Sequence, residues 1–336
     1  MSKKIRFGII GCGRIGSRHA ERISQNSQAE LVAVCDTKQE RIDEMKNKYK
    51  IDAFLNYQDL LKRKDIDVVS ICTPNGLHCE MAINIANSGK HILCEKPMTI
   101  KVDDGRKMID TSAKNNVNLF VVKQNRYNPP VAKVKEIIDD GILGKIYMLV
   151  VNVYWNRGAD YYAESDWKGR LEMDGGTLYT QVSHFIDLML WYGGNFKNVE
   201  VIGKRYKHQI EFEDNGVVLA EFESGAIASV NYTVCAEKEN MEGSITVIAE
   251  NGTVKIGGQY LNTLEYERIK NYKIPDLEPS RPANNYGKYQ GSMSNHAQVI
   301  QNVIDVLQNN GEQHVTAFEA LKTVEFIEQC YKKMKV

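Results

Sequence analysis

The run Ile5–Ile10 followed by Gly11-Cys12-Gly13-Arg14-Ile15-Gly16 constrains the fold more than any other feature of this chain. A short apolar strand, three glycines at this spacing and a helix opening at once form a βα turn that cradles a pyrophosphate. Gly11 serves the tight turn, Gly13 lets the backbone approach the phosphates, and Gly16 lets helix pack on strand. The helix N-terminus then presents backbone N–H groups to the negative charge. Asp36 closes the next apolar run, Leu31–Cys35, twenty-five residues after Gly11. A carboxylate there accepts hydrogen bonds from the adenosine ribose hydroxyls and repels a 2′-phosphate, which favours NAD over NADP. Lys38 is the one nearby feature that favours NADP. The competing reading is a plain glycine turn with a surface aspartate.

Three more apolar runs, Val68–Ile71, Ile92–Cys94 and Leu119–Val122, alternate with helical stretches at Gln39–Lys48, Leu77–Asn87 and Asp103–Lys114. Runs apolar on both faces and separated by helices predict a doubly wound parallel sheet over residues 1–122. After Val122 the pattern changes. Strand-like segments at Lys145–Tyr154, Val199–Tyr206, Val217–Phe222, Ala226–Thr233, Ser244–Ala249 and Thr253–Ile256 are joined by turn signals at Asp214-Asn215-Gly216, Ser224-Gly225 and Asn251-Gly252. They predict an α+β domain over 123–336 with an antiparallel sheet. Helices are expected at Leu178–Trp191, Asn295–Gln308 and Ala317–Lys333, and Arg268–Gly291, with three prolines, reads as an extended arm.

Composition excludes several classes. Lys+Arg and Asp+Glu both number 43, so no basic excess points to nucleic acid. No apolar run approaches a membrane span. Lys3, Lys4 and Arg6 precede an apolar run that stops at Arg14 without a small-residue cleavage site, unlike a signal peptide. Seven cysteines, with no CxxC, read as thiols of a reducing compartment, so a cytoplasmic protein is expected. Cys and His spacings fit no zinc site, and no metal is expected.

Two further loops lie at the carboxyl edge of the predicted parallel sheet, where ligands bind. Thr73-Pro74-Asn75, with His78 three residues on, lines the cofactor or is a strand-to-helix loop with Asn75 as a cap. Glu95-Lys96-Pro97 projects a lysine towards the nicotinamide end or is a solvated surface turn. Pro97 keeps Lys96 out of the helical region and makes a cis Lys96–Pro97 bond a candidate. On the Leu178–Trp191 helix, at about 100° per residue, Thr180, His184 and Asp187 share a polar stripe with Trp191. His184 is therefore exposed or in a cleft, with Asp187 orienting it or solvated. Arg126, Arg157, Lys168 and Arg170 suit a diphosphate or carboxylate. Tyr154, Trp155, Tyr161, Tyr162 and Trp167 suit stacking on a base or sugar. A sheet edge with aromatic packing and a charged rim explains the same residues.

Together, Gly11–Gly16, Asp36, Thr73-Pro74-Asn75 with His78, Glu95-Lys96-Pro97, and Asp174-Gly175-Gly176 leading to His184 resemble the Gfo/Idh/MocA oxidoreductase family over almost the whole chain. The resemblance implies an N-terminal Rossmann domain and a C-terminal domain with a large open antiparallel sheet, the C-terminal helix able to pack back on the first domain. It implies catalytic Lys96 and His184, and NAD bound by Gly11, Gly13, Arg14, Ile15, Gly16, Asp36, Thr73, Pro74, Asn75, His78, Glu95, Lys96 and Gln124. The implied substrate set is Lys96, Arg126, Arg157, Trp167, Thr180, Gln181 and His184. Within the family, Gln124–Pro130, Trp155–Gly176 and Glu242–Gly258 are similar to bacterial UDP-N-acetylglucosaminuronate 3-dehydrogenases, which act in making surface-polysaccharide sugars. Two positions depart from the usual patterns. Thr180 stands where many members have an Asp four residues before the His, and Trp167-Lys168-Gly169 replaces Trp-Arg-Gly.

The implied reaction is oxidation of a sugar hydroxyl at C3. His184, with an ordinary pKa of about 6.5, is the expected base and Lys96 the polariser, the reverse assignment remaining open. An inositol, polyol or other sugar dehydrogenase and a non-catalytic NAD-binding regulator are the alternatives. A broad sheet with one uncovered face predicts a homodimer or homotetramer.

Overall fold

The computed structural model describes residues 3–285 and 290–334. The chain divides into two compact units, residues 1–123 with 296–324, and residues 124–295 with 325–336. The sequence reading gave 123–336 to the second domain, with only the C-terminal helix able to pack back on the first. The return of 296–324 to the first unit has no local sequence signal, because it is set by which apolar helix face meets which sheet.

The first unit runs β1 (Ile5–Ile10), α1 (Arg14–Ser24), β2 (Ala29–Cys35), α2 (Gln39–Tyr49), β3 (Asp52–Phe54), α3 (Tyr57–Leu61), β4 (Val68–Ile71), α4 (His78–Asn87), β5 (His91–Cys94), α5 (Val102–Lys114) and β6 (Leu119–Val121). The strands form one parallel sheet in the order β3-β2-β1-β4-β5-β6. Of its central strands β4 is buried throughout and β1 from Phe7 onwards, with Phe7, Ile9, Val68, Val69 and Ile71 all fully inaccessible. β1 and β4 lie side by side, yet the chain leaves them towards opposite edges. This is the switch point at which a doubly wound sheet opens a crevice above its carboxyl ends.

In the second unit, α6 (Pro129–Asp139) precedes β7 (Ile146–Tyr154) and a short α7 (Ala159–Ala163). A π-helical turn at Leu178–Val182 runs into α8 (Ser183–Gly193). β8 (Phe196–Lys204), β9 (Asn215–Phe222), β10 (Ile227–Thr233), β11 (Glu242–Ala249), β12 (Gly252–Gly257) and β13 (Thr263–Ile269) follow. With β7 they form a seven-stranded sheet in the order β13-β12-β11-β7-β10-β9-β8. The expected antiparallel sheet is in fact mixed, because β7 and β10 pair in parallel at its centre. Hairpin signals report only neighbouring strands, so a pairing across the intervening α8 and two strands escapes them. The β11–β12 hairpin turns on Glu250-Asn251, with Ala249 opposite Gly252.

The expected extended arm is ordered at both ends. Arg268 lies in β13, and β14 (Ala283–Asn285) pairs with β15 (Gln290–Met293); positions 286–289 of the arm lie outside the described residues. α9 (His296–Asn309) belongs to the first unit, and α10 (Ala317–Lys333) begins in the first and ends in the second. No described helix is long and apolar enough to cross a membrane.

Candidate active site

The phosphate loop takes the shape its glycines demand. Gly11 has φ +96, and a Cβ there or on Gly16 would run into backbone, the Cys72 carbonyl and the Gly11 carbonyl respectively. Around Gly13 a Cβ would meet only the tip of Arg41, 3.9 Å away. The loop is therefore closed on its protein side and open above Gly13, as a diphosphate requires. Gly13 caps α1 with no side-chain hydrogen bond, and the first turn holds no acid, so the helix end suits an anion. Asp36 accepts the Cys12 N–H (2.8 Å) and the Lys38 N–H (2.9 Å), fixing its carboxylate beside the loop. The cation nearest it is Arg41, Nη1 3.6 Å from Oδ2, which the sequence reading missed; Lys38 contributes its backbone.

The two neighbouring loops are joined by His78. Its Nδ1 lies 2.8 Å from the Pro97 carbonyl and its Nε2 3.0 Å from the Thr73 carbonyl. Burial pushes its pKa down, against the pull of the two carbonyls. Asn75 is buried in a 3₁₀ turn before α4, whose N-cap position is Leu77. The Lys96–Pro97 bond is cis. Lys96 is half-buried, and its N–H donates to Glu95 Oε2 (3.1 Å). Glu95 itself is buried against His19 and His296, both absent from the sequence-based set. His19 lies three residues beyond Gly16, on the face that packs against the sheet, so helix periodicity could have placed it there. No local signal marks His296.

In the second unit His184 is 4% exposed, not open to solvent. The π-turn breaks the 100° period on which the expected stripe rested, and α8 is buried nearly all round. Gln124, expected with the cofactor, has its amide nitrogen 3.3 Å from His184 Nε2 and 2.9 Å from Ser292 Oγ. Asp187 is buried and does not meet solvent. It takes the Nε and Nη2 edge of Arg126, at 2.9 and 3.0 Å, with Trp191 beneath the guanidinium. Arg126, expected on an anionic substrate, thus spends that edge on Asp187. Arg157 is equally built in: it donates to Gln181 Oε1 (2.7 Å) and Asn240 Oδ1 (3.1 Å) and lies over Trp155 and Tyr161. Gln181 donates in turn to the Tyr161 hydroxyl (2.9 Å). Thr180 Oγ1 donates to the buried Asp174, whose Oδ2 accepts the Gly169 N–H. Trp167 and Lys168 are half-buried, and Arg170 is exposed.

Among the described residues two side-chain groups bring three potential metal donors within 4.8 Å, His19/Glu95/His296 and His208/Asp214/Cys235. In each the carboxylate is already occupied by N–H donors. Asp214 Oδ2 alone accepts from the Lys207 and His208 backbones and from His208 Nδ1. Both are hydrogen-bonded clusters.

A Rossmann sheet with an open phosphate loop, an acid after β2 and a lysine loop after β5 defines a dinucleotide-dependent oxidoreductase. The chain belongs to the Gfo/Idh/MocA family: residues 5–123 match its NAD-binding Rossmann domain, and residues 131–255 match the GFO/IDH/MocA C-terminal domain. NAD is the cofactor that this domain binds. The chain is similar to the WlbA dehydrogenase of Bordetella pertussis, crystallised with NADH and UDP-GlcNAcA. The two are 35% identical with a TM-score of 0.87, over 98% of this chain and 96% of that one. WlbA of Chromobacterium violaceum, in complex with the same two ligands, is 32% identical with a TM-score of 0.89, over 99% and 94%. The myo-inositol 2-dehydrogenase of Thermotoga maritima is 28% identical over 238 residues, 68% of each chain.

Proposed function

We propose that this protein oxidises the C3 hydroxyl of UDP-N-acetylglucosaminuronate to a ketone, in the making of surface-polysaccharide sugars. NAD, when bound at the Gly11–Gly16 loop, supplies the acceptor for the hydride. His184 takes the hydroxyl proton, and Lys96 polarises the same oxygen. Gln124 holds the imidazole of His184 in place. Arg157, Gln181 and Thr180 shape the sugar site, while Arg126 fixes Asp187 on α8. The reading is carried by similarity across 98–99% of the chain to two dehydrogenases crystallised with that nucleotide sugar. The seven thiols are all free, which suits a reducing compartment.

A second reading, oxidation of a free inositol, has the Thermotoga relative behind it. Thr180, bonded to Asp174, argues against it, since it stands where many members carry an acid. The test is NADH absorbance with UDP-N-acetylglucosaminuronate and with myo-inositol. The expected result is turnover of the nucleotide sugar alone. His184→Ala should lower kcat by roughly 10²–10⁴-fold with NAD affinity retained. Turnover of myo-inositol alone overturns the substrate, and an unchanged kcat in His184→Ala overturns the base.

A further inference from the structure

We propose that Glu95 is the positioning residue of Lys96. From a buried seat between His19 and His296 it fixes the lysine's backbone and holds the side chain as an ammonium, which leaves the base role to His184. The kinetic part of this inference rests on the function proposed above; the rest does not.

Glu95 is 5% exposed and follows β5 directly. Its Oε2 accepts the Lys96 N–H, and its Oε1 accepts from His19 Nε2 at 2.9 Å, with His296 Nε2 at 3.4 Å. His19 sits on α1, the helix that the phosphate loop opens, so one carboxylate ties that helix to the lysine loop. Burial alone would keep Glu95 protonated, but the two imidazoles outweigh it and hold the carboxyl well below the ordinary range.

Burial pushes His296 on α9 and His78 on α4 towards their neutral forms. It also raises the thiols of Cys72 and Cys94 well above their ordinary value. Arg18, also on α1, pairs with Glu21. A buried anion one residue from a half-buried lysine favours the charged lysine.

The test is competitive labelling of Lys96 by acetic anhydride across pH, read by mass spectrometry on the full chain. The labelling midpoint should lie at about pH 9 or above. Glu95→Gln should lower it by about half a unit or more, the size expected of a charge several ångströms away in a screened interior. Glu95→Asp, which keeps the charge, should stay within about 0.2 of the parent. A merely structural role would move both variants alike, and that result overturns the proposal. So does a midpoint below about pH 8 in the unmodified protein, which requires no variant to fold. With an active substrate, the alkaline limb of kcat/KM should fall in the same order and vanish in Lys96→Gln. A limb that survives Lys96→Gln refutes the proposed role of Lys96 in the reaction, while the labelling still judges Glu95.

Discussion

Asp36 accepts the Cys12 N–H through Oδ2 and the Lys38 N–H through Oδ1, so the carboxylate that selects the cofactor also braces the phosphate loop. Replacing it with alanine would confound the two effects. Asp36→Asn keeps an acceptor for the loop and removes the charge that repels a 2′-phosphate. With Arg41 3.6 Å away, the uncharged site gains a partner for that phosphate. The expected outcome is that the parent binds NAD at least about tenfold more tightly than NADP. Asp36→Asn should then move the ratio by about tenfold or more towards NADP, and adding Arg41→Ala should reverse that gain; each step is worth about one charge-assisted hydrogen bond. Fluorescence titration of both cofactors checks it, and an unchanged ratio refutes the assignment. Asp36 was legible because strand, glycines and acid recur at a fixed local spacing. The pairing of Arg126 with Asp187 was not, since those residues are 61 apart and meet only once the 3₁₀ turn before α6 packs on α8. The residues read as a cationic substrate cluster are therefore partly the unit's own buried polar framework.

At the scale of elements, the strands and helices of the parallel sheet were readable because each is apolar on a period of its own. Several short or unpatterned elements escaped, β3, β13 and α6 among them. β3 is too short for a pattern, and β13 carries alternating charges. α6 opens on Pro129-Pro130, a start signal that could have been used. The π-turn before α8 has no periodic signature, and around it lies the second unit's main buried carboxyl. Glu213 accepts from the hydroxyls of Tyr232 on β10 (3.0 Å) and Tyr331 on α10 (2.9 Å), and the Tyr331 hydroxyl also accepts the Leu178 N–H (3.2 Å). Burial pushes its pKa up to about 7, against the pull of the two tyrosines. The folded state therefore keeps a proton that the unfolded chain, at about 4.3, has lost. Between roughly pH 4.5 and 7 the unfolded state binds fewer protons, so this group's contribution to stability falls as pH rises and is flat above 7. Glu213→Gln removes the slope. The variant should equal the parent near pH 4 and exceed it at pH 8 by on the order of 1–3 kcal/mol. Denaturant unfolding at the two pH values measures this, and a variant less stable than the parent at pH 8 contradicts it.

For the molecule as a whole, the seven-stranded sheet has two unlike faces. One is core: Val218, Ala220, Phe222, Val230, Tyr232, Leu149, Val151, Ile245 and Val254 all point into it and are buried. The pleat sends the alternate residues the other way, and there Ile202, Val217, Leu219, Ile227 and Tyr266 are 41–68% exposed. Ile202 lies directly opposite Val217, and Leu219 follows two residues along the same strand, so the apolar side chains are contiguous across β8 and β9. Glu200 and Glu221 interrupt this face with charge at its margin. A monomer rarely leaves such a patch in water. The even alternation along β8–β10 was visible in the sequence, and with it the expectation of one uncovered face; which side chains would line it was not, because register is set by pairing between distant strands. Self-association through this face is the expected outcome, with a two-fold axis placing like residues on like. Leu219→Asp with Ile202→Asp would put four buried, unpaired carboxylates into each two-fold contact, at a cost of several kcal/mol against association. The parent should sediment as a dimer or tetramer and the double variant as a smaller species with its far-UV spectrum intact. A parent that sediments as a monomer at micromolar concentration, or a double variant of unchanged mass, removes the sheet face as the interface.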